Sequence, residues 1–255
     1  MSSPFEYAVA HNIFKKLQPH INSGNIIRNR ETGQLSLSSS LTSGTPWRFI
    51  RHHPDTKCWL WNNIMFAIFK QEMGNPASGC QTCYKVCVRP RSLNELFIVE
   101  SFQVKMQEDE EVACKCGMEL REHVHGLWGA YFYTRSLEEG KKRYKQVRRL
   151  VDIHLSNDVP VYLKRGCTDM EDYYGDSDKQ EITETSLHWE KLISDAFDHT
   201  FIKKVQTEGE IHDLHQRWVE YAYAYGDPTY KLFTNGKRLF PKYVTYHDKK
   251  EMNNG

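Results

Sequence analysis

The stretch that decides the fold is YKVCVRPRSLNELF, residues 84–97. Polar and apolar side chains alternate over residues 84–88 and the alternation stops at Pro90, which is typical of a β-strand. Ser92 and Glu95 follow with the spacing of a capping box, so a helix of about 93–106 is predicted directly after the strand. A strand that leads at once into a helix indicates layers of α and β structure.

The same signals recur downstream. Residues 116–124 (CGMELREHV) alternate again, and residues 129–134 (GAYFYT) form another short strand pattern. A second capping box starts at Ser136, the apolar stripe of the helix after it reaches Leu155, and residues 159–166 (VPVYLKRG) are rich in strand-forming side chains. In chain order these elements are strand, helix, strand, strand, helix, strand, which predicts a ferredoxin-like βαββαβ core.

Helical segments are predicted on both sides of this core. Ser3 and Glu6 form a capping box for an N-terminal helix, and the apolar run of residues 47–73 predicts a buried helix after Asp55. The expected fold class is α+β, a ferredoxin-like core with helical N- and C-terminal additions. The predicted segments are an N-terminal helical part with a Ser- and Gly-rich connector, the core, and a mostly helical C-terminal extension: residues 1–78, 79–168 and 169–255.

The composition excludes several classes of protein. The net charge is +1 and 26% of the residues are charged, so no excess of either sign indicates a polyanion or a membrane surface as the partner. The sequence shows neither a signal-peptide pattern nor an apolar run long enough to span a membrane. Because its seven cysteines are an odd number, a disulfide framework is not expected. We therefore expect a cytoplasmic protein that does not bind membranes.

Five of the seven cysteines are predicted to meet at one edge of the sheet. In the usual strand order of this topology, 4-1-3-2, the starts of strands 1 and 2 and the end of strand 4 share that edge. Four thiolates brought together there would form a tetrahedral metal site. The predicted ligands are Cys80, Cys83, Cys116 and Cys167, with Cys114 as the alternative to Cys116. Cys58 and Cys87 are predicted to lie outside the group.

Zinc is the predicted metal, because structural zinc sites use paired cysteines at this spacing. An iron–sulfur cluster is the alternative, since thiolate ligands alone do not separate the two. A third interpretation treats the cysteines as small buried residues without a metal. A redox pair is disfavoured, because Cys80 and Cys83 precede a strand and not the first turn of a helix.

Basic and aromatic side chains are predicted to alternate on the face of the sheet that lies away from the two central helices. Cations bind phosphate and rings stack on bases, so this face predicts binding of single-stranded nucleic acid. The residues of this predicted interface are Lys85, Arg89, Arg121, Tyr131, Tyr133, Tyr162 and Lys164. The alternative is that the C-terminal helices cover the face and make these aromatic side chains part of the core.

The segment His123-Val124-His125 supports an enzymatic alternative. On a strand both histidines would point the same way, as in nucleases that hold a divalent cation between two histidines and use a tyrosine from the next helix as nucleophile. Tyr144 is the candidate nucleophile, and Glu119 or Glu122 would complete the metal shell. The chain would then be a metal-dependent endonuclease acting on single-stranded DNA. The simpler interpretation is a pair of surface histidines.

Overall fold

The computed structural model of the protein describes residues 4–38, 45–52, 57–198 and 205–240. The helices are α1 (Pro4–Asn22), α2 (Cys58–Leu60), α3 (Ala67–Met73), α4 (Ser78–Gln81), α5 (Leu93–Asp109), α6 (Leu137–His154), α7 (Thr168–Tyr174), α8 (Glu184–Ala196) and α9 (Glu208–Ala224). A π-helical segment, Trp61–Phe66, joins α2 to α3. The strands are β1 (Ile26–Arg28), β2 (Leu35–Leu37), β3 (Trp47–Arg51), β4 (Tyr84–Val88), β5 (Cys114–Met118), β6 (Trp128–Thr134) and β7 (Val161–Arg165).

Five strands form one sheet in the order β3-β5-β6-β4-β7, and every neighbouring pair is antiparallel. Helix α5 connects β4 to β5 across β6, and helix α6 connects β6 to β7 across β4. The four strands from β5 to β7 have the strand order expected from the sequence, read from the opposite edge. The protein is therefore a mixed α and β structure built on a five-stranded antiparallel sheet.

The two central helices start where the capping boxes predict. The Ser92 hydroxyl accepts a hydrogen bond from the Glu95 amide at 3.2 Å, and the Ser136 hydroxyl accepts one from the Glu139 amide at 3.1 Å. Each bond satisfies one of the amides that the first helical turn leaves without a partner. Because these signals act within a few residues, the starts of α5 and α6 are predicted correctly from the sequence.

Two strands differ from the sequence prediction. Strand β5 ends at Met118, so the predicted strand over residues 116–124 is wrong in position, and Leu120, beyond the end of β5, is 56% exposed. Residues 47–51, which precede the helix predicted after Asp55, form the edge strand β3, which was not predicted from the sequence. Trp47 pairs with Gly117 in β5, and a side chain at Gly117 would clash with the carbonyl of Pro46. This non-local pairing, which the local pattern does not show, makes the segment a strand.

The larger hydrophobic cluster lies between the sheet and helices α5, α6 and α9. Its largest side chains with no exposed surface are Trp128, Phe132 and Trp218. A second cluster contains residues of α1, β1, β2, the segment from α2 to α4, α7 and α8. Cys80 belongs to this second cluster and Cys167 packs against it, so the cysteine-bearing edge of the sheet adjoins it. The predicted segment boundaries stay a prediction.

Helix α6 shows the amphipathic pattern of a surface helix. Gly140, Val147 and Val151 are buried against the sheet, while Lys141 and Lys145, at the flank of the helix, are exposed. Among the helices in the described part of the chain, none combines the length and the apolar character needed to cross a membrane.

Candidate metal centre

Three thiols from separate parts of the chain lie within electrostatic range of the Cys80 thiol near the start of β4. Cys58 begins α2, Cys80 lies in α4, Cys83 precedes β4, and Cys167 is the N-cap residue of α7. The charges of Cys167, Cys58 and Cys83 all act on the thiol of Cys80. None of the seven cysteines forms a disulfide. We call these four residues the cysteine cluster.

Backbone hydrogen bonds fix the loops that carry the cysteine cluster. The Cys83 amide donates to the Cys80 carbonyl at 3.3 Å, which closes the turn between these two residues. The Gly166 amide donates to the Cys83 carbonyl at 2.8 Å, so the end of β7 is tied to the start of β4. Cys167 therefore follows directly after a residue that is bonded to Cys83.

The π-helical segment places Cys58 near the other three cysteines. The indole ring of Trp61 occupies the space that a side chain on Gly79 would need, so the segment packs directly against α4, which carries Cys80. Segments of π-helix are uncommon and frequently occur at functional sites. The close approach at Gly79 depends on the absence of a side chain there, because the ring is large and part of the packed core.

A buried lysine contacts the cysteine cluster. Lys85 is only 4% exposed, and its Nζ donates to the Sγ of Cys167 at 3.4 Å. The ammonium also lies 5.7 Å from the ring centre of Tyr131 and 5.9 Å from that of Tyr133. In the described part of the chain, no carboxylate forms an ion pair with Lys85. The described contacts that stabilise this buried cation are the sulfur of Cys167 and the two aromatic rings.

A second lysine lies on the same face of the sheet. The Nζ of Lys115 in β5 lies 4.3 Å from the ring centre of Trp47 and 5.6 Å from those of Phe49 and Tyr131. Burial, followed by the charge of Lys85, lowers the pKa of Lys115 to about 8, and Cys167 acts in the opposite direction. Lys115 is therefore within electrostatic range of the cysteine cluster.

The thiols of Cys80 and Cys83 are protonated near neutral pH when no metal is bound. Burial raises the pKa of Cys83 to about 12, and it raises the pKa of Cys80 well above its usual range, with further increases from the neighbouring thiols. Among the residues that the structure describes, no three His, Cys, Asp or Glu side chains already form a set of metal ligands. Binding of a metal would therefore require the thiols to release protons and draw together.

The structure leaves two of the predicted cysteines outside the cluster and includes one that was not predicted. Cys114 and Cys116 are fully buried in the larger hydrophobic cluster, where the charges of Glu100 and Arg48 act on Cys116. They lie on the helix-facing side of β5 because Lys115 between them occupies the opposite face. Cys58, predicted to lie outside, is in the group. The charged residue between the two cysteines is the signal in the sequence that indicates their orientation.

Cys87 is not one of the four residues of the cysteine cluster, although its charge also acts on the thiol of Cys83. It occupies the middle of β4, opposite Tyr131 and Tyr162 in the neighbouring strands, and has no exposed surface. Its Sγ contacts the carbonyl of Lys85 at 3.9 Å. Because Cys87 is a buried thiol close to the cysteine cluster, its substitution is a suitable control for substitutions of the four cluster cysteines.

The predicted nucleic-acid face is largely covered. Lys85, Arg89 and Tyr131 are buried, with exposed fractions of 4%, 9% and 3%. The cover comes from Trp47, whose ring centre lies 5.5 Å from that of Tyr131, and from α7, whose Glu171 forms an ion pair with Lys164. Of the seven predicted residues, Tyr162 is the most exposed, at 38%. Binding of nucleic acid by this face stays a prediction.

Instead of a free basic surface, this face holds a network centred on Glu119. Arg121 forms two hydrogen bonds of 2.7 Å with the Glu119 carboxylate, and the Tyr131 hydroxyl donates a third at 2.7 Å. Arg89 donates to the Tyr131 hydroxyl at 2.9 Å. Arg121 also reaches Asp169 in α7 at 2.7 Å. The network therefore links β4, β6 and the loop after β5 to the helix that starts at Cys167.

The histidine pair does not have the geometry of the nuclease alternative. Residues 121–125 form a turn and not a strand, so the strand predicted to align His123 with His125 is absent here. His123 lies 3.3 Å from Asp169, and Val124 between the two histidines is buried. Tyr144 packs against the larger hydrophobic cluster, on the helix side of the sheet. These residues do not form one site.

Comparison with known protein families, curated proteins and solved structures finds no match to this chain. Its function must therefore be argued from its own residues.

Proposed function

We propose that the protein is a metal-binding protein whose cysteine cluster, Cys58, Cys80, Cys83 and Cys167, holds one zinc ion. The observation that supports this proposal is that the Cys58, Cys83 and Cys167 thiols lie within electrostatic range of Cys80, with the buried ammonium of Lys85 in contact with Cys167. Four cysteine ligands in tetrahedral geometry form the closed type of zinc site, which serves structure and not catalysis. The ligand set differs from the one predicted from the sequence in one position, because Cys58 replaces Cys116.

Charge balance supports a centre with four thiolates. Four thiolates and one Zn²⁺ have a net charge of about −2. In the described part of the chain, neither Lys85 nor Lys115, the two lysines on this face, forms an ion pair with a carboxylate. The charge of Cys167 raises the pKa of both. The hydrogen bond from Lys85 to Cys167 is the type of outer contact that orients a ligand and tunes a metal site. With its metal bound, the centre would supply the negative counter-charge for the ammonium groups of these two lysines.

The role we propose for the metal is to hold together three segments that are distant in sequence. Cys58 precedes the helical run through α3, Cys80 and Cys83 precede β4, and Cys167 links β7 to α7. The metal would join the sheet, which we assign to the ferredoxin-like type with one added edge strand, to the second hydrophobic cluster. An iron–sulfur cluster is the alternative occupant, since its ligands would be the same thiolates.

Metal analysis of the freshly purified protein, together with its absorption spectrum, tests this proposal. We expect about one zinc ion per chain and no absorption in the visible range, since Zn²⁺ has a filled d shell. A brown protein that contains iron and sulfide would assign the site to the iron–sulfur alternative. Protein purified without any bound metal, and unable to take up zinc after reduction, would contradict the proposal.

A further inference from the structure

A groove separates helix α6 from the edge strand β7. It has a volume of about 380 Å³ and is lined by Lys141, Tyr144, Lys145, Val161, Tyr162 and Leu163. The exposed surface of α6 forms one wall of the groove, and the edge strand β7 forms the other. It lies outside the cysteine cluster, so the metal centre does not account for it.

Strand β7 presents unpaired backbone groups to this groove. The Arg89 amide donates to the Pro160 carbonyl, and the Gly166 amide donates to the Cys83 carbonyl, so even-numbered residues of this segment point their backbone groups toward β4. Backbone groups alternate along an antiparallel strand. Those of Val161 and Leu163 therefore point away from the sheet. In the described part of the chain no further strand pairs with β7.

The other wall of the groove is basic. Lys141 and Lys145 are exposed, stand one helical turn apart, and form no ion pair with any described residue. Two arginines of the same helix differ, because Arg143 pairs with Glu110 and Arg148 pairs with Asp152. The positive charge of the groove is therefore available to a partner.

We propose that this groove binds an extended acidic peptide of a partner protein, which adds to the sheet as a sixth strand beside β7. Main-chain hydrogen bonds to Val161 and Leu163 would supply the pairing, as in other cases of strand addition to an exposed sheet edge. Acidic side chains at alternate positions of the peptide would face Lys141 and Lys145, because side chains of a strand alternate between the two faces.

Two other occupants fit the groove less well. A second copy of this chain paired through β7 would bring the lysines of the two copies together, which is unfavourable for like charges. A single-stranded nucleic acid would contact the lysines through its phosphates but would leave the backbone groups of Val161 and Leu163 without strand pairing. An acidic peptide satisfies both the charge and the backbone groups.

Fluorescence anisotropy with a labelled peptide of about ten residues, alternating valine and glutamate, tests this inference. Lys141→Glu together with Lys145→Glu is expected to weaken binding by about tenfold or more, because two attractive contacts become repulsive. Lys142→Glu is the matched control, since Lys142 is exposed on the same helix but does not line the groove. It is expected to change the Kd by less than about threefold.

A backbone-methylated peptide separates strand pairing from simple attraction of charge. A peptide of the same sequence, methylated on alternate backbone nitrogens that face β7, is expected to bind about tenfold more weakly, because it lacks the donors of the strand. Equal binding of the methylated peptide, equal loss with Lys142→Glu, or the absence of any binding would overturn the inference. Tighter binding of a single-stranded oligothymidylate than of the peptide, or pairing of two copies through β7 in solution, would overturn it as well.

Discussion

Replacement of Cys58 by serine is expected to abolish stable binding of the metal and to lower the free energy of unfolding by more than about 4 kcal/mol. The reason is that a structural metal binds the folded chain and not the unfolded chain, so the free energy of metal binding adds to the stability of the fold. The measurements are the metal content per chain and denaturant unfolding with and without a chelator. A chelator is expected to destabilise the wild-type protein strongly and the Cys58→Ser variant very little.

Cys87→Ala and Cys116→Ala are the controls for this prediction. Both thiols are fully buried, so both variants lose some stability through packing alone. Neither residue belongs to the cysteine cluster, so both variants are expected to retain a full complement of metal. Retention of metal by Cys58→Ser, or its loss from Cys116→Ala, would contradict the ligand set and would support the one predicted from the sequence.

Replacement of Glu119 by glutamine is expected to destabilise the protein by about 3 kcal/mol at neutral pH. Glu119 is 4% exposed and contacts Arg121 and Tyr131 directly. Burial raises the pKa of its carboxyl, but the hydrogen bonds from Arg121 and Tyr131 and the charges of Arg121 and Arg89 outweigh burial and lower the pKa to about 2. Loss of the charge leaves two partly buried arginines without their shared carboxylate.

The stability that Glu119 contributes is expected to decrease as the pH falls. The pKa of Glu119 is lower in the folded protein than its ordinary value of 4.5. Its contribution to stability is therefore complete above about pH 5 and is lost as the pH falls toward 2. Denaturant unfolding at a series of pH values is expected to show a shallower acid limb for Glu119→Gln than for wild type. Glu122→Gln, a change at an exposed neighbouring residue, is the control, and an identical slope in all three proteins would contradict the prediction.

The features that the sequence predicts correctly depend on interactions between residues close together in the chain. The caps at Ser92 and Ser136 each involve a residue three positions later, and the alternation in β4 is visible within five residues. The predicted order of the central strands follows from the succession of elements and from the general preference for one crossover arrangement. These features are local, so one sequence is sufficient to find them.

The features that the sequence does not predict depend on contacts between distant segments. Trp47 lies in a strand because β5 provides a partner about seventy residues downstream. Cys58 joins the cysteine cluster because the π-helical segment packs through Trp61 against Gly79. Lys85, expected on an open face, is buried because its ammonium contacts Cys167, eighty-two positions away. No local pattern encodes such contacts.

The most direct test of the central claim, that four cysteines of this chain hold one metal ion, is X-ray absorption at the zinc edge of the purified protein. The claim predicts a single shell of four sulfur atoms at about 2.3 Å from the zinc in the wild-type protein, and the same shell in Cys116→Ala. A shell with three or fewer sulfur atoms, or one completed by nitrogen or oxygen at about 2.0 Å, would contradict it.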